Sequence, residues 1–329
     1  MTVAGDPALP LIQVACGVLV DDAGAVLMAQ RPTGKIAAGY WEFPGGKIEP
    51  AEDAEAALRR ELREELDVEI TAIEPLIDFM HGYRDRRVRL QTFRCRVAAG
   101  RPRGREGQTL AWRPVDALLD LQPQLPTVAP ILNALRLPVH YAWTPPLDVP
   151  EALVTLPMPR MPAGGLVRLR QPGWDIRSYA ASAPAWVARM QDAGLQPVVD
   201  RPEVLPDCPG TSLHLSARAA EALPDRAAAG GRWLLVSAHN EAELQIAAGL
   251  GADAVVIGHV ASTPSHPGVA ALGWKGFTAL ARAAGRPAYA IGGLDAERDH
   301  AAARLAGAQG IAGIRTYWPR SHRPRSSAE

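Results

Sequence analysis

The sequence predicts an α/β protein of two domains: an N-terminal α/β domain over residues 10–137 and a C-terminal (β/α)8 barrel over residues 151–319. Three observations predict it. The chain has 329 residues, past the ~250–300 at which single hydrophobic cores stop growing. A segment free of Pro and Gly and rich in Ala, Leu, Glu and Arg, 53–66, sits among strand-like runs in the first part. From Ala152 onward, short β-rich runs alternate with alanine-rich helical stretches.

Taken in order, the apolar run 14–20 ends in Asp21-Asp22-Ala23-Gly24 and is followed by 26–29, the pattern of two strands in a hairpin. After Phe43-Pro44-Gly45-Gly46, the segment 53–66 is expected to be a strong helix. Strand-like runs follow at 73–80, 88–97 and 110–113, and a helix is expected at 127–136. Pro138, Pro145, Pro146 and Pro150 crowd residues 138–150, which predicts a linker because neither helix nor sheet runs through such a stretch. Barrel strands are expected at 153–156, 166–169, 197–200, 212–215, 233–237, 254–257, 288–291 and 311–314. About 170 residues is short against the usual ~200–250, so some helices must be abbreviated. The Arg-, Ser- and Pro-rich end, 320–329, is expected to be a disordered tail.

Composition narrows the function. Hydrophobic residues make up 47% and charged residues 21%, a globular balance without wholesale disorder. A formal net charge of zero argues against a nucleic-acid polymer as partner and leaves Arg84, Arg86, Arg87 and Arg89 as a local patch for a small anion. Cys16, Cys95 and Cys208 lie far apart with no CxxC pair, so neither a zinc site nor a disulfide framework is indicated. The sequence shows no basic-then-apolar leader and no uninterrupted apolar run of ~18 residues, so a cytoplasmic protein without a membrane partner is expected.

Chemistry concentrates in residues 46–68. On a helix, Glu61, Glu64 and Glu65 fall within an arc of about 100°, beside a core-facing stripe of Leu58, Leu62 and Leu66. Carboxylates so placed repel one another unless they share a cation, and oxygen donors without His or Cys select Mg²⁺ or Mn²⁺. The bland alternative is a solvated Glu/Arg helix with i,i+4 ion pairs; the spacing decides against it. Gly46, Glu52, Arg60, Glu61, Leu62, Glu64, Glu65 and Val68 fill the pattern G-x5-E-x7-R-E-U-x-E-E-x-G-U, with U aliphatic, and the segment resembles the Nudix box. Asp67 stands where that pattern has glycine, so the last turn of the helix is expected to differ, with no metal ligand lost. The resemblance implies a Nudix α/β/α sandwich with a mixed sheet.

The resemblance extends over residues 12–137 to the MutT-type branch. Glu42-Phe43-Pro44-Gly45-Gly46-Lys47 matches its entry loop, and Arg105-Glu106-Gly107-Gln108 matches the loop that supplies a further metal-binding glutamate. By implication, the Gly45 carbonyl, Glu61, Glu64, Glu65 and Glu106 ligate the metal, and Arg60 orients the glutamates. The resemblance implies that a bound cation would acidify a water for attack on phosphorus, with Glu61 as base and Glu106 as second candidate, giving a nucleoside monophosphate and pyrophosphate. Arg31, Phe43, Gly46, Lys47 and Phe79 are the implied substrate-binding residues, Phe43 or Phe79 supporting a base. Members that destroy oxidised guanine nucleotides use an asparagine before the last helix. Leu125 stands there, so a purine loses a bidentate amide contact unless Gln124 or backbone groups substitute.

In the second half, Ile291-Gly292-Gly293-Leu294 and Gly310-Ile311-Ala312-Gly313-Ile314 fall at the late strands, where barrels bind phosphate through glycine-rich backbone. With Thr211-Ser212-Leu213-His214-Leu215, Ser237-Ala238-His239-Asn240 and the run 251–260, they resemble the thiamine phosphate synthase and TenI-like thiazole tautomerase superfamily, whose barrel is of the TIM type. The synthase lysines have Leu169-Arg170-Gln171-Pro172 and Ser262-Thr263-Pro264-Ser265-His266 as counterparts, and the acidic ligand expected after His-Leu-Gly is missing from His214-Leu215-Ser216-Ala217. Gly258-His259-Val260 matches the tautomerase's Gly-His-Val, which implies that His259 moves the proton that aromatises a thiazole phosphate. The alternative is a barrel that binds or senses a ligand without catalysis.

Two readings of the whole chain follow. In one it is an 8-oxo-dGTP diphosphatase that cleans the nucleotide pool, with thiazole or thiamine phosphate as the barrel's ligand. In the other the first half hydrolyses thiamine pyrophosphate analogues and both halves serve thiamine metabolism. Arg31 and the Glu106 loop favour the first reading; Leu125 favours the second.

Overall fold

The computed structural model describes residues 4–263 and 268–318, so the expected tail lies outside the described residues. The chain divides at Leu137–Pro138 into two compact units.

The N-terminal unit contains strands β1 (Leu11–Leu19), β2 (Val26–Gln30), β3 (Trp41–Glu42), β4 (Gly45–Lys47), β5 (Val68–Gly82), β6 (Arg87–Gly100) and β7 (Thr109–Arg113). Its helices are α1 (Ala54–Leu66) and α2 (Val128–Arg136). One sheet has the order β4-β1-β6-β5, with β1 and β6 parallel; the other has the order β3-β2-β7 and is antiparallel.

The expected opening hairpin is corrected here. Val20 and Val26 form one isolated bridge, while β1 pairs with β4 and β6, and β2 with β3 and β7. The reason is burial on both faces. Val18 and Met28 point into the layer beneath α2, whereas Leu19 and Leu27 point into the layer beneath α1. Two strands that each cover two cores cannot act as a half-solvated hairpin. The result is a sheet layer between two helices.

Helix α1 starts where Asp53 accepts the Ala56 N–H at 2.8 Å. It buries Ala57, Leu58, Leu62 and Leu66. Each such leucine contributes ~1.5–3 kcal/mol. It ends at Asp67, which adopts φ 60° and ψ 41° and donates its N–H to the Arg63 carbonyl. The terminating left-handed residue is thus present without the glycine. Asp67→Gly is expected to raise stability by about 0.5–1 kcal/mol, since an L side chain is strained there; urea unfolding of both forms checks it.

The second unit is a closed barrel of parallel strands β8 (His140–Trp143), β9 (Leu166–Arg168), β10 (Gln196–Val199), β11 (Ser212–Ser216), β12 (Leu234–Ala238), β13 (Ala254–Gly258), β14 (Ala288–Ile291) and β15 (Gly310–Gly313). Its helices are α3 (Ala152–Thr155), α4 (Ile176–Asp192), α5 (Ala217–Glu221), α6 (Arg226–Ala229), α7 (Glu241–Gly249), α8 (Gly273–Ala284) and α9 (His300–Leu305). Several are one turn long, and β10 and β11 are joined through a 3₁₀ turn, Pro202–Asp207. The ring closes where β8 pairs with β15 on one side and β9 on the other.

The expected linker at 138–150 and first strand at 153–156 are therefore corrected. Pro138 and Pro145 bracket a four-residue strand instead of interrupting it. At 153–156, the Leu153 N–H donates to the Pro150 carbonyl at 3.0 Å and the chain turns into α3. Glu151, the N-cap after Pro150, already has helical φ −60° and ψ −27°, and the turn this starts overrides the strand-like composition. No helix among the described residues is long and apolar enough to cross a membrane.

Candidate active site

One face of α1 and three loops bring most of the expected N-terminal residues together. Glu61 lies over Gly46, which β4 holds against β1 opposite Ala15. A Cβ on Gly46 would overlap the Glu61 carboxyl carbon and both its oxygens. The glycine is needed for that approach. Arg60 then fixes the acids beside it. Its Nη2 donates to Glu52 at 2.6 Å and to the Lys47 carbonyl at 3.0 Å; its Nη1 donates to Glu61 at 2.9 Å and to Glu64 at 3.4 Å. The Arg60 guanidinium, with the Glu49 N–H, holds the Glu52 carboxyl below the usual range.

The loop before β7 reaches the end of α1 through its backbone. The Arg103 and Arg105 N–H groups donate to the Leu66 and Glu65 carbonyls at 2.9 and 3.0 Å. Glu106 is thereby placed beside Glu65, with its own N–H on Gln108 Oε1 at 2.9 Å and its carboxylate ion-paired to Lys35. Glu65 is half-buried, and burial, together with the charges of Glu106 and Glu61, pushes its carboxyl up to about 7. Glu64 stands at the rim, its side chain 60% exposed. Among the described residues, no three carboxylate, imidazole or thiol groups are gathered to hold a metal ion. Arg60 and Lys35 draw the acids to different sides.

Arg31 donates from Nη1 to both Glu42 oxygens, at 2.9 and 2.7 Å, and from Nε to the Ile36 carbonyl at 2.8 Å. Burial raises the Glu42 carboxyl, and Arg31 partly offsets that. Phe43 and Phe79 are 3% and 0% exposed and belong to the core beneath α2, which corrects their expected place against a base: neither has a free ring face. The Lys47 side chain is exposed. Gln124 donates its amide to the Leu118 carbonyl at 2.6 Å.

The sequence reading missed His81 and Tyr83. Their rings meet edge to face at 4.6 Å, and the Arg86 guanidinium lies 5.0 Å over Tyr83. The Tyr83 hydroxyl bonds Thr127, and the charges of Glu42 and Arg31 act on it. Only the basic run 84–89 marked this corner in the sequence.

In the barrel, His259 follows β13 and Gly292-Gly293 follow β14. A Cβ on Gly292 would overlap that of His259, so the two lie in contact. The His259 ring is buried, with Nε2 3.2 Å from the Val269 carbonyl. Pro264, Ser265 and His266 lie outside the described residues. At the ends of β8 and β9, Arg168 stacks 4.4 Å over Trp143 and pairs with Asp200 at 3.1 Å, while Arg170 lies 5.8 Å over the same ring. Arg168 is 8% exposed, and its Nε has no hydrogen-bond partner among the described residues. Nothing in the sequence pattern singled out Arg168, Trp143 or Asp200, because one buried arginine in a strand carries no spacing signature.

Below them, the His214 ring lies between Tyr141 Oη, 2.7 Å from Nδ1, and Ser237 Oγ, 2.7 Å from Nε2. A neutral imidazole satisfies both by donating at one nitrogen and accepting at the other. Burial first, then the Arg168 and Arg170 charges, hold its pKa well below the ordinary value. The unfolded chain takes up a proton near pH 6.5 that the folded barrel refuses, so stability is full above that pH and falls below it, by about 1.4 kcal/mol per pH unit. On going from pH 7.5 to 5.5, His214→Gln is expected to lose about 1.4 kcal/mol less stability in urea than wild type, because the opposite shift of Glu65 and the like shifts of His81 and His140 act on both forms alike.

The NUDIX domain model matches residues 11–135, and the Thiamine monophosphate synthase model matches residues 148–317. The chain is 37% identical over 127 residues to the CTP pyrophosphohydrolase of Escherichia coli (strain K12), covering 38% of this chain and 92% of that one. It is 42% identical over 82 residues to the 8-oxo-dGTP diphosphatase of Proteus vulgaris, covering 25% of this chain and 73% of that one. It is 35% identical over 102 residues to the 8-oxo-dGTP diphosphatase of Haemophilus influenzae, covering 31% and 75%. The chain is a Nudix hydrolase joined to a barrel of the thiamine monophosphate synthase family.

As a Nudix hydrolase, the protein acts on phosphoric anhydride bonds. The family assignment gives meaning to the local geometry. The Arg60 side chain, which a plain Glu/Arg helix would leave pointing into water, is tied to the Lys47 carbonyl of β4, and the last carbonyls of α1 accept from the backbone of the loop 103–108.

Proposed function

We propose that the Nudix unit hydrolyses a nucleoside triphosphate to the monophosphate and pyrophosphate with Mg²⁺, and that 8-oxo-dGTP is the substrate to test first. The observation that carries this is Glu65, half-buried beside the carboxylates of Glu61 and Glu106, with Glu61 laid against a glycine that admits no side chain. The donor set of Glu61, Glu64, Glu65, Glu106 and the Gly45 carbonyl is all oxygen, with more carboxylates than the Arg60 and Lys35 cations that pair with them, which fits a hard divalent cation. When bound, such a cation supplies charge neutralisation at phosphate and an acidified water. The chain's own residues do the rest. Arg60 holds Glu61 in place, Glu61 accepts the proton of the attacking water with Glu106 as the second candidate, and Arg31 and Lys47 meet phosphate oxygens. Tyr83, with His81 and Arg86, offers the base the ring surface that Phe43 and Phe79 do not.

A second substrate reading is favoured by Leu125, which removes an amide from the base site, and by the Escherichia coli relative named for CTP. A smaller pyrimidine needs no such purine contact, and a thiamine pyrophosphate analogue is the third member of the test. Pyrophosphate release is to be measured with 8-oxo-dGTP, dGTP, CTP and thiamine pyrophosphate analogues at equal concentrations. A kcat/KM for 8-oxo-dGTP at least tenfold above the others supports sanitation; a preference for CTP or for the thiamine analogue overturns it. For the barrel, Gly292, Gly293 and His259 support a thiazole or thiamine phosphate ligand, with His259 as proton carrier, and the cations of Arg168 and Arg170 suit the same anionic ligand.

A further inference from the structure

The Nudix site holds a cation of its own. Lys35 lies on the loop between β2 and β3, far in sequence from Glu106, yet its ammonium is ion-paired to the Glu106 carboxylate. The two loops also meet where Gly107 faces the Pro32 ring, 3.9 Å from where a Cβ on Gly107 would stand. The charges of Glu65 and Arg31 also act on Lys35, which places the ammonium at the edge of the same acidic group. Its neighbours are differently engaged: Arg60 is shared among Glu52, Glu61 and Glu64, and Arg31 is anchored through Nε and Nη1 on the Ile36 carbonyl and Glu42. Lys35 rests on one carboxylate, and both side chains are 45% exposed. Exposed pairs of this kind are weak and readily exchanged.

We propose that Lys35 is a substrate-binding residue of the hydrolase, parked on Glu106 in the metal-free enzyme and released to the nucleotide's phosphates when a divalent cation takes Glu106. The inference rests on the metal-site reading above. Two cations compete for one carboxylate. A divalent ion wins it by its higher charge, and the freed ammonium, on a flexible four-carbon stem, finds its next anion in the phosphates arriving with that ion. Metal-free enzyme is thereby kept from leaving Glu106 and Glu65 as neighbouring unpaired charges. Nucleotide binding is coupled to metal occupancy through a residue that ligates no metal.

Competition gives a signature that a structural surface pair cannot. Removing Lys35 is expected to tighten metal binding while weakening nucleotide binding. The test is Mn²⁺ affinity of the full chain without nucleotide, by electron paramagnetic resonance, together with steady-state kinetics, for wild type, Lys35→Met, Glu106→Gln and the double variant. Lys35→Met is expected to bind Mn²⁺ up to about fivefold more tightly, as an exposed pair allows, and to raise KM for the nucleotide about tenfold with kcat nearly unchanged. In the Glu106→Gln background, Lys35→Met is expected to leave Mn²⁺ affinity unchanged, because the shared carboxylate is gone. Unchanged or weaker Mn²⁺ binding by Lys35→Met, or an unchanged KM, overturns the proposal and leaves the metal site standing. Wild-type enzyme that binds no Mn²⁺, or whose binding ignores Glu65→Gln, overturns the metal-site reading and this proposal with it.

Discussion

Glu65→Gln is expected to lower kcat for pyrophosphate release by about a thousandfold, the scale on which single preorganised groups at a developing charge act. The amide keeps the shape of the carboxyl and removes its charge. Glu65 stands half-buried between Glu61 and Glu106, so that charge costs the metal-free protein repulsion and has its use when a cation is held. The variant is therefore expected to be inactive and to melt no lower than wild type in the absence of metal. Thermal unfolding in chelator beside a pyrophosphate assay checks both halves. A variant that is inactive only because it unfolds would assign Glu65 to the fold.

Gly46→Ala is expected to cost about a hundredfold in kcat through a single methyl group. The methyl carbon claims the space of the Glu61 carboxyl, which must then leave its contact with Arg60, 2.9 Å away. Overpacking at such a point also costs about 1–3 kcal/mol unless the side chain swings out. The two outcomes are distinguished by a cycle. In a Glu61→Ala background the added methyl has room, so Gly46→Ala is expected to add little further loss. Kinetics and urea unfolding of the two single variants and the double one check this.

How much of this was legible in the sequence depends on the distance over which each signal acts. Helix α1 was readable almost to the residue, because its freedom from Pro and Gly, its leucine stripe and its carboxylate spacing are local. The ligand spacing gave the arc of Glu61, Glu64 and Glu65, but not the way Arg60 and Lys35 divide those acids. That depends on loops 31–40 and 103–108, whose approach no local pattern encodes. Phe43 and Phe79 were misplaced for a related reason. An aromatic residue near a site motif reads the same whether it faces a ligand or the core, and β1, β2 and the neighbouring strands bury both faces. In the barrel, seven strands fell within a residue or two of their expected places, because Gly and Pro punctuate them. The first did not, since the prolines that delimit β8 look like the prolines of a linker. Arg168, Trp143, Asp200 and His214 come from four consecutive barrel segments and meet only when the ring closes.

The most direct test of the central claim is the position of the bond that is cut. Wild-type protein, Mg²⁺ and a nucleoside triphosphate, followed by phosphorus NMR, are expected to yield the nucleoside monophosphate and pyrophosphate in equal amounts, with neither formed in chelator or by Glu65→Gln. A nucleoside diphosphate with inorganic phosphate, or undiminished turnover in chelator, would contradict the assignment of Glu61, Glu65 and Glu106 to a metal-assisted pyrophosphohydrolase.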